Sequence, residues 1–180
     1  GGPKALAEIL PSLSSRITQP IAIVQHMPAS FTGSLAASLN NKCSHAVSEA
    51  RDRETVLDKH AYIAPGGRHM YLEQASNQVR LRLDDRPPEE GCRPSANILF
   101  RSTAKVYGAS ALALILTGMG ADGTKGLAVM REQGAYVIAQ DKASSVVWGM
   151  PGSASQAGLV DEVLPLLEIP EAVARLMGGA

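Results

Sequence analysis

The 180 residues are 45% hydrophobic and 19% charged, which argues against a disordered chain, and no apolar run reaches the ~20 residues of a bilayer span. Lys plus Arg and Asp plus Glu balance at 17 each, so the chain carries no bulk positive charge for nucleic acid. Cys43 and Cys92 are the only cysteines, without a CxxC pair; this argues against a disulfide framework or a cysteine-based zinc site and fits a reducing cytoplasm.

No signal peptide is visible, and the chain opens with Gly1-Gly2-Pro3 rather than methionine. Proline at a first helical position predicts a helix with Leu6, Ile9 and Leu10 on its apolar stripe, ending near Pro11. A helix entered through Gly-Gly usually follows a strand, so the expectation is that a strand lies upstream of Gly1. Residues 20–27 read as a short apolar strand with His26 at its carboxyl end, followed by a helix over 32–40 and a short strand over 46–50. Two apolar runs flanking Pro65-Gly66-Gly67 predict an antiparallel hairpin across that turn. Residues 79–83 alternate as a half-exposed strand, and 84–93 read as an exposed polar loop.

A helix is predicted from Pro94-Ser95 to about Tyr107. Residues 111–116 then form an unbroken apolar run, suited to a strand buried in a parallel sheet. The run ends in Thr117-Gly118-Met119-Gly120-Ala121-Asp122-Gly123, and an apolar helix face with Leu127 and Met130 follows. Strands over 135–140 and 160–164 and helices over 151–156 and 170–177 complete the chain. The alternation predicts a doubly wound α/β domain, mostly parallel, with helices on both faces and a small antiparallel hairpin near the site.

In such a fold ligands bind at the carboxyl ends of the strands, where His26 and Asp122 both fall. His26 there is a candidate general base, and an acid beside it would fix its tautomer. The structural alternatives stay open: His26 as a satisfied core histidine, and Asp122 as a helix N-cap. Ser144 and Ser145 are the only in-chain hydroxyls at the same rim, and neither has a nucleophile elbow. His45 reads as exposed, and His60 and His69 flank the Pro-Gly-Gly turn without a carboxylate in register for a metal. The glycine loop offers a second class of reading, a phosphate cradle, but lacks the GxGxxG spacing and a Walker lysine.

Five stretches together carry a resemblance: QHMPASFTGSLAASLN at 25–40, AYIAPGGRHMYL at 61–72, RPSANILFRSTA at 93–104, LTGMGADGTKGL at 116–127 and WGMPGSA at 148–154. They resemble, in order and over nearly the whole chain, the catalytic domain of the chemotaxis protein-glutamate methylesterases, the CheB family. The resemblance implies hydrolysis of glutamyl methyl esters on the cytoplasmic domain of methylated chemoreceptors, sometimes with glutamine deamidation. It implies a Ser-His-Asp triad needing no metal or cofactor, with His26 and Asp122 as two members. Met119 would help line the oxyanion hole through its backbone N–H, and Gly1 and Gly2 match the glycines of the turn that carries the serine. That serine would fall two residues before Gly1. The expectation is therefore one catalytic domain over 1–180 without its first strand and nucleophile turn, inactive alone, with the family's receiver domain absent from this stretch. The partners implied are the receptor and a receiver domain, with no nucleic acid and no membrane insertion. The rival reading is a non-catalytic receptor-docking module of the same fold.

Overall fold

A computed structural model of the protein describes residues 1–179. Strands β1 (Ile21–Ile23), β2 (Ala46–Glu49) and β3 (His60–Ile63) form a parallel sheet in the order β1-β3-β2. Strands β6 (Leu112–Ile115), β7 (Tyr136–Gln140) and β8 (Glu162–Leu164) form a second parallel sheet in sequence order. In the chain between them, β4 (His69–Ala75) and β5 (Gln78–Asp84) make an antiparallel hairpin.

Helices α1 (Gly2–Arg16), α2 (Ala29–Asn40), α3 (Ala96–Tyr107), α4 (Thr124–Glu132), α5 (Met150–Gln156) and α6 (Ile169–Leu176) cover both faces. The two-residue period of β7 shows how: Ile138 packs with Ile9 of α1 and Val173 of α6, while Val137 and Ala139 pack with Leu127 of α4. In β3, Ala61 and Ile63 face Leu6 and Leu39, and Tyr62 faces Leu81 of the hairpin and Leu99 of α3. Each interior strand is therefore buried twice, as the apolar runs require.

Three expectations are corrected here. The first helix does not stop at Pro11 but runs through it to Arg16. An interior proline costs about 3 kcal/mol of helix; burial of Leu10 and Leu13 on either side of it holds the helix through that break. The hairpin is not across Pro-Gly-Gly. β3 pairs parallel with β1 and β2, and β4 turns back on β5 through Ser76-Asn77, with Ser76 in the left-handed region. Pro65-Gly66-Gly67 is instead a turn leading from β3 to β4, with the Arg68 N–H donating to the Pro65 carbonyl at 3.3 Å. A Cβ on Gly66 would lie 2.4 Å from the Ala29 nitrogen and 2.5 Å from the Met27 carbonyl oxygen, so the glycine permits a backbone contact just after His26. Finally, His45 is buried rather than exposed, with Nε2 donating to the Gln19 carbonyl at 2.8 Å.

Strands β1 and β6 are end members of their sheets, and an apolar cavity of about 310 Å³ lies between them. Ile21, Ile23, Leu112 and Leu114 line it from the strands, and Leu6 and Leu10 from α1. His26, Gly2 and Gly118 reach the same cavity.

Candidate active site

His26 follows β1 and Asp122 follows β6, each beyond the carboxyl end of its strand. The fold brings them together: His26 Nε2 lies 2.7 Å from Asp122 Oδ2. The histidine side chain is 28% exposed and the aspartate side chain 1%, so a solvated imidazole is held from behind by a buried acid. With Nε2 given to the carboxylate, the ring nitrogen left for other chemistry is Nδ1.

Asp122 is also a cap, though not of the helix that follows it. α4 begins after Gly123 with no side-chain cap, while Asp122 accepts from the start of α3. Its Oδ2 takes the Ala96 N–H at 2.7 Å, and its Oδ1 takes the Ser95 hydroxyl at 2.7 Å and the Asn97 N–H at 3.4 Å. Asn97 returns the arrangement: its Oδ1 accepts the N–H groups of Gly123 and Gly126 at the start of α4. Each helix start is thus capped by a side chain from the other's vicinity. Burial pushes the Asp122 carboxyl up, but hydrogen bonds from His26, Ser95 and Ala96 and the nearby imidazole outweigh it and hold the group below the usual aspartate range. It stays an anion, as an acid orienting an imidazole must.

A second layer fixes Ser95. Its N–H donates to His69 Nδ1 at 3.2 Å, and His69 Nε2 donates to the Pro87 carbonyl at 2.9 Å. His69 is fully buried and held as the Nε2–H tautomer by these two bonds. The 84–93 loop is accordingly pinned rather than free: Glu89 makes a two-point pair with Arg101 of α3, and Glu90 pairs with Lys125 of α4. This brings Cys92 to the dyad, where its sulfur, an imidazole nitrogen of His26 and an Asp122 oxygen lie within 4.8 Å of one another. Burial, then the charges of Asp122 and Glu90, push the Cys92 thiol up.

The 117–123 loop is clamped from the 147–150 segment. The Gly118 N–H donates to the Val147 carbonyl at 3.0 Å, and the Met150 N–H to the Gly118 carbonyl at 2.8 Å. A Cβ on Gly149 would lie 2.7 Å from the Gly118 oxygen and 2.9 Å from the Gly120 nitrogen, so only glycine fits under the loop. Met119 stands at its crest with an exposed side chain. Among the described residues no protein acceptor takes its N–H.

Of the other residues singled out in the sequence, Gly2 lines the same cavity as His26 and touches the Gln25 side chain, and Gly1 is the exposed N-cap of α1. Ser144 and Ser145 are not brought to His26. Their hydroxyls donate to the Asp141 carboxylate and carbonyl, both at 2.6 Å. The phosphate-cradle alternative also loses its donors, since the α4 N–H groups are given to Asn97 and an aspartate sits beside them. The places of Ser95, Asn97, His69 and Cys92 behind and beside the pair do not follow from the sequence reading. Pro-Ser before an apolar helix marks Ser95 as a cap, but nothing local names the acid it would donate to.

The CheB methylesterase family profile matches residues 1–173. A protein-glutamate methylesterase/protein-glutamine glutaminase of Trichodesmium erythraeum is 46% identical over 178 residues, covering 99% of this chain and 51% of the relative. One of the same name from Desulfotalea psychrophila is 50% identical over 175 residues, covering 96% of this chain and 48% of the relative. The chain therefore spans about half the length of the curated relatives it matches. The crystal structure of the Thermotoga maritima CheB methylesterase catalytic domain superposes with a TM-score of 0.95 at 41% identity, covering 98% of this chain and 93% of that one.

Proposed function

The chain belongs to the CheB methylesterase family, and on that premise we propose that it is the catalytic domain of a protein-glutamate methylesterase that also deamidates glutamine. The substrate class is the γ-methyl glutamyl ester of a chemoreceptor's cytoplasmic domain, in a cytoplasmic setting. The observation that carries this reading is the 2.7 Å pair of His26 with a buried, multiply bonded Asp122. Such a pair is the base and orienter of acyl transfer.

The nucleophile in this reading is a serine two residues before Gly1, on the turn that enters α1. Two features support it. α1 opens at Gly2 beside Gln25 and the cavity that His26 lines. The cavity separates two end strands of parallel sheets, so one further parallel strand there would join them and deliver its carboxyl end to the dyad.

His26 Nδ1 takes the serine proton as the serine oxygen attacks the ester carbonyl. Asp122 keeps the ring's other proton on Nε2 and stabilises the imidazolium that forms. The oxyanion is met by the Met119 N–H and by N–H groups at the start of α1, next to Gly1 and Gly2; one such donor is worth about 10²–10³ in rate. The imidazolium returns its proton to the leaving methoxide, and methanol departs. Water then repeats the attack on the acyl-serine, leaving glutamate.

The test is methanol release from a methylated receptor domain by the 180-residue chain and by a version extended upstream through the serine turn, with His26→Gln in the extended background. The extended protein should turn over, while the short chain and the His26 variant should not. Equal rates for short and extended proteins would overturn the assignment of the nucleophile, and an active His26→Gln variant would overturn that of the base.

A further inference from the structure

Cys92 has no part in that chemistry, yet the 84–93 loop is braced at Glu89 and Glu90 so that its sulfur sits against the dyad. We propose that His26, Cys92 and Asp122 form a binding site for a thiophilic divalent cation, Zn²⁺ foremost, and that its occupancy locks the dyad.

The donor set is one imidazole nitrogen, one thiolate and one carboxylate oxygen, which is zinc chemistry rather than that of magnesium or calcium. Zinc bonds of about 2.0–2.3 Å to these atoms place tetrahedral donors roughly 3.2–3.6 Å apart. All three ligand atoms already lie within 4.8 Å of one another, and they come from three separate segments. The 2.7 Å histidine–aspartate contact must widen by roughly half an ångström, and the sulfur, within 4.8 Å of both other ligand atoms, must settle at roughly 3.5 Å from each. The supporting shell is in place: Ser95, Ala96 and Asn97 orient the carboxylate, as outer partners orient ligands in metal sites. The imidazole and the thiol are both half-buried, which leaves a solvent-facing fourth position for water. Glu89 and Glu90 add acidic charge on the same loop, although Arg101 and Lys125 answer it.

The atoms balance simply. The cation displaces the thiol proton to solvent and takes the Nε2 lone pair of His26. The ring's single proton then resides on Nδ1. That tautomer is reversed from the one the base needs, because Nδ1 has become a donor. The site stands on the cluster alone, whereas the lock rests on the esterase reading.

The two are tested separately. Co²⁺ is titrated into the whole protein, into Cys92→Ser, and into Cys43→Ser, which removes the other free cysteine. The expected result is a near-ultraviolet thiolate-to-cobalt band in the parent and in Cys43→Ser, absent from Cys92→Ser, with Zn²⁺ abolishing it by competition. Calorimetry should show at least a tenfold loss of Zn²⁺ affinity in Cys92→Ser. No band in the parent, or a band that survives in Cys92→Ser, overturns the site whether or not the protein hydrolyses any ester. Zn²⁺ should also suppress methanol release in the protein extended upstream through the serine turn, reversibly with chelator, and fail to do so in the Cys92→Ser variant of that extended protein at the same concentration. Hydrolysis that continues at saturating Zn²⁺ overturns the lock.

Discussion

Asp122 faces His26 with the same oxygen that accepts the first N–H of helix α3, from Ala96 at 2.7 Å. The group that orients the imidazole is therefore also part of a helix terminus. In the protein extended upstream through the serine turn, Asp122→Asn is expected to cut ester hydrolysis by about 10⁴, the scale seen when a triad acid is made an amide. It should also cost roughly 1–3 kcal/mol, because the amide turns two donor hydrogens toward groups that are themselves donors. Turnover beside urea unfolding separates the two effects; an active, fully stable variant would end the assignment.

The same carboxylate predicts a pH window. Its folded pKa is depressed, because bonds from His26, Ser95 and Ala96 outweigh the upward push of burial. A depressed acid contributes stability in full above its unfolded value, about pH 3.9, and loses it as pH falls through the lower folded value. The stability gap between the parent and Asp122→Asn should narrow progressively as pH falls below about 5 and go on narrowing through the lower folded value. A gap that widens on acidification contradicts the sign.

Ser95 serves α3 as N-cap, accepting the Asn97 N–H, and serves Asp122 as donor. Ser95→Ala should cost about 1–2 kcal/mol in urea unfolding, as cap deletions do. Losing a donor to the carboxylate also raises the acid's pKa, so the acid limb of the stability–pH profile should move upward. An unmoved profile with only a stability loss would reduce Ser95 to a cap.

Two glycines give opposite signs. Gly66→Ala drives a Cβ into the backbone of Met27 and Ala29 and should cost about 1–3 kcal/mol or more, with loss of turnover in the upstream-extended protein because the displaced segment carries His26. Gly33→Ala lies on the exposed face of α2 with 4.0 Å to its nearest neighbour, and should stabilise by about 0.5–1 kcal/mol. Thermal unfolding of both variants checks the pair.

The parts legible in the sequence were those with local causes. The apolar run into the glycine loop and the helix after it require β6, 117–123 and α4, and the strand-end positions of His26 and Asp122, together with the family resemblance, led to the expectation that they meet. Partner choice was not legible. Pro65-Gly66-Gly67 has the composition of a hairpin turn, but its glycine answers a contact with residues 27–29, far away in sequence. Asp122 has the composition of a cap, and the helix it caps begins 26 residues earlier. Ser95 and His69 show nothing unusual until the fold sets them in line behind the acid.

The cavity between β1 and β6 has a consequence for handling the protein. Two strand edges with free backbone groups and an apolar floor form a template for any extended segment, including one from a second molecule. Copies of the 180-residue chain at high concentration are expected to self-associate through these edges, and a short synthetic β-peptide added in excess is expected to keep them apart.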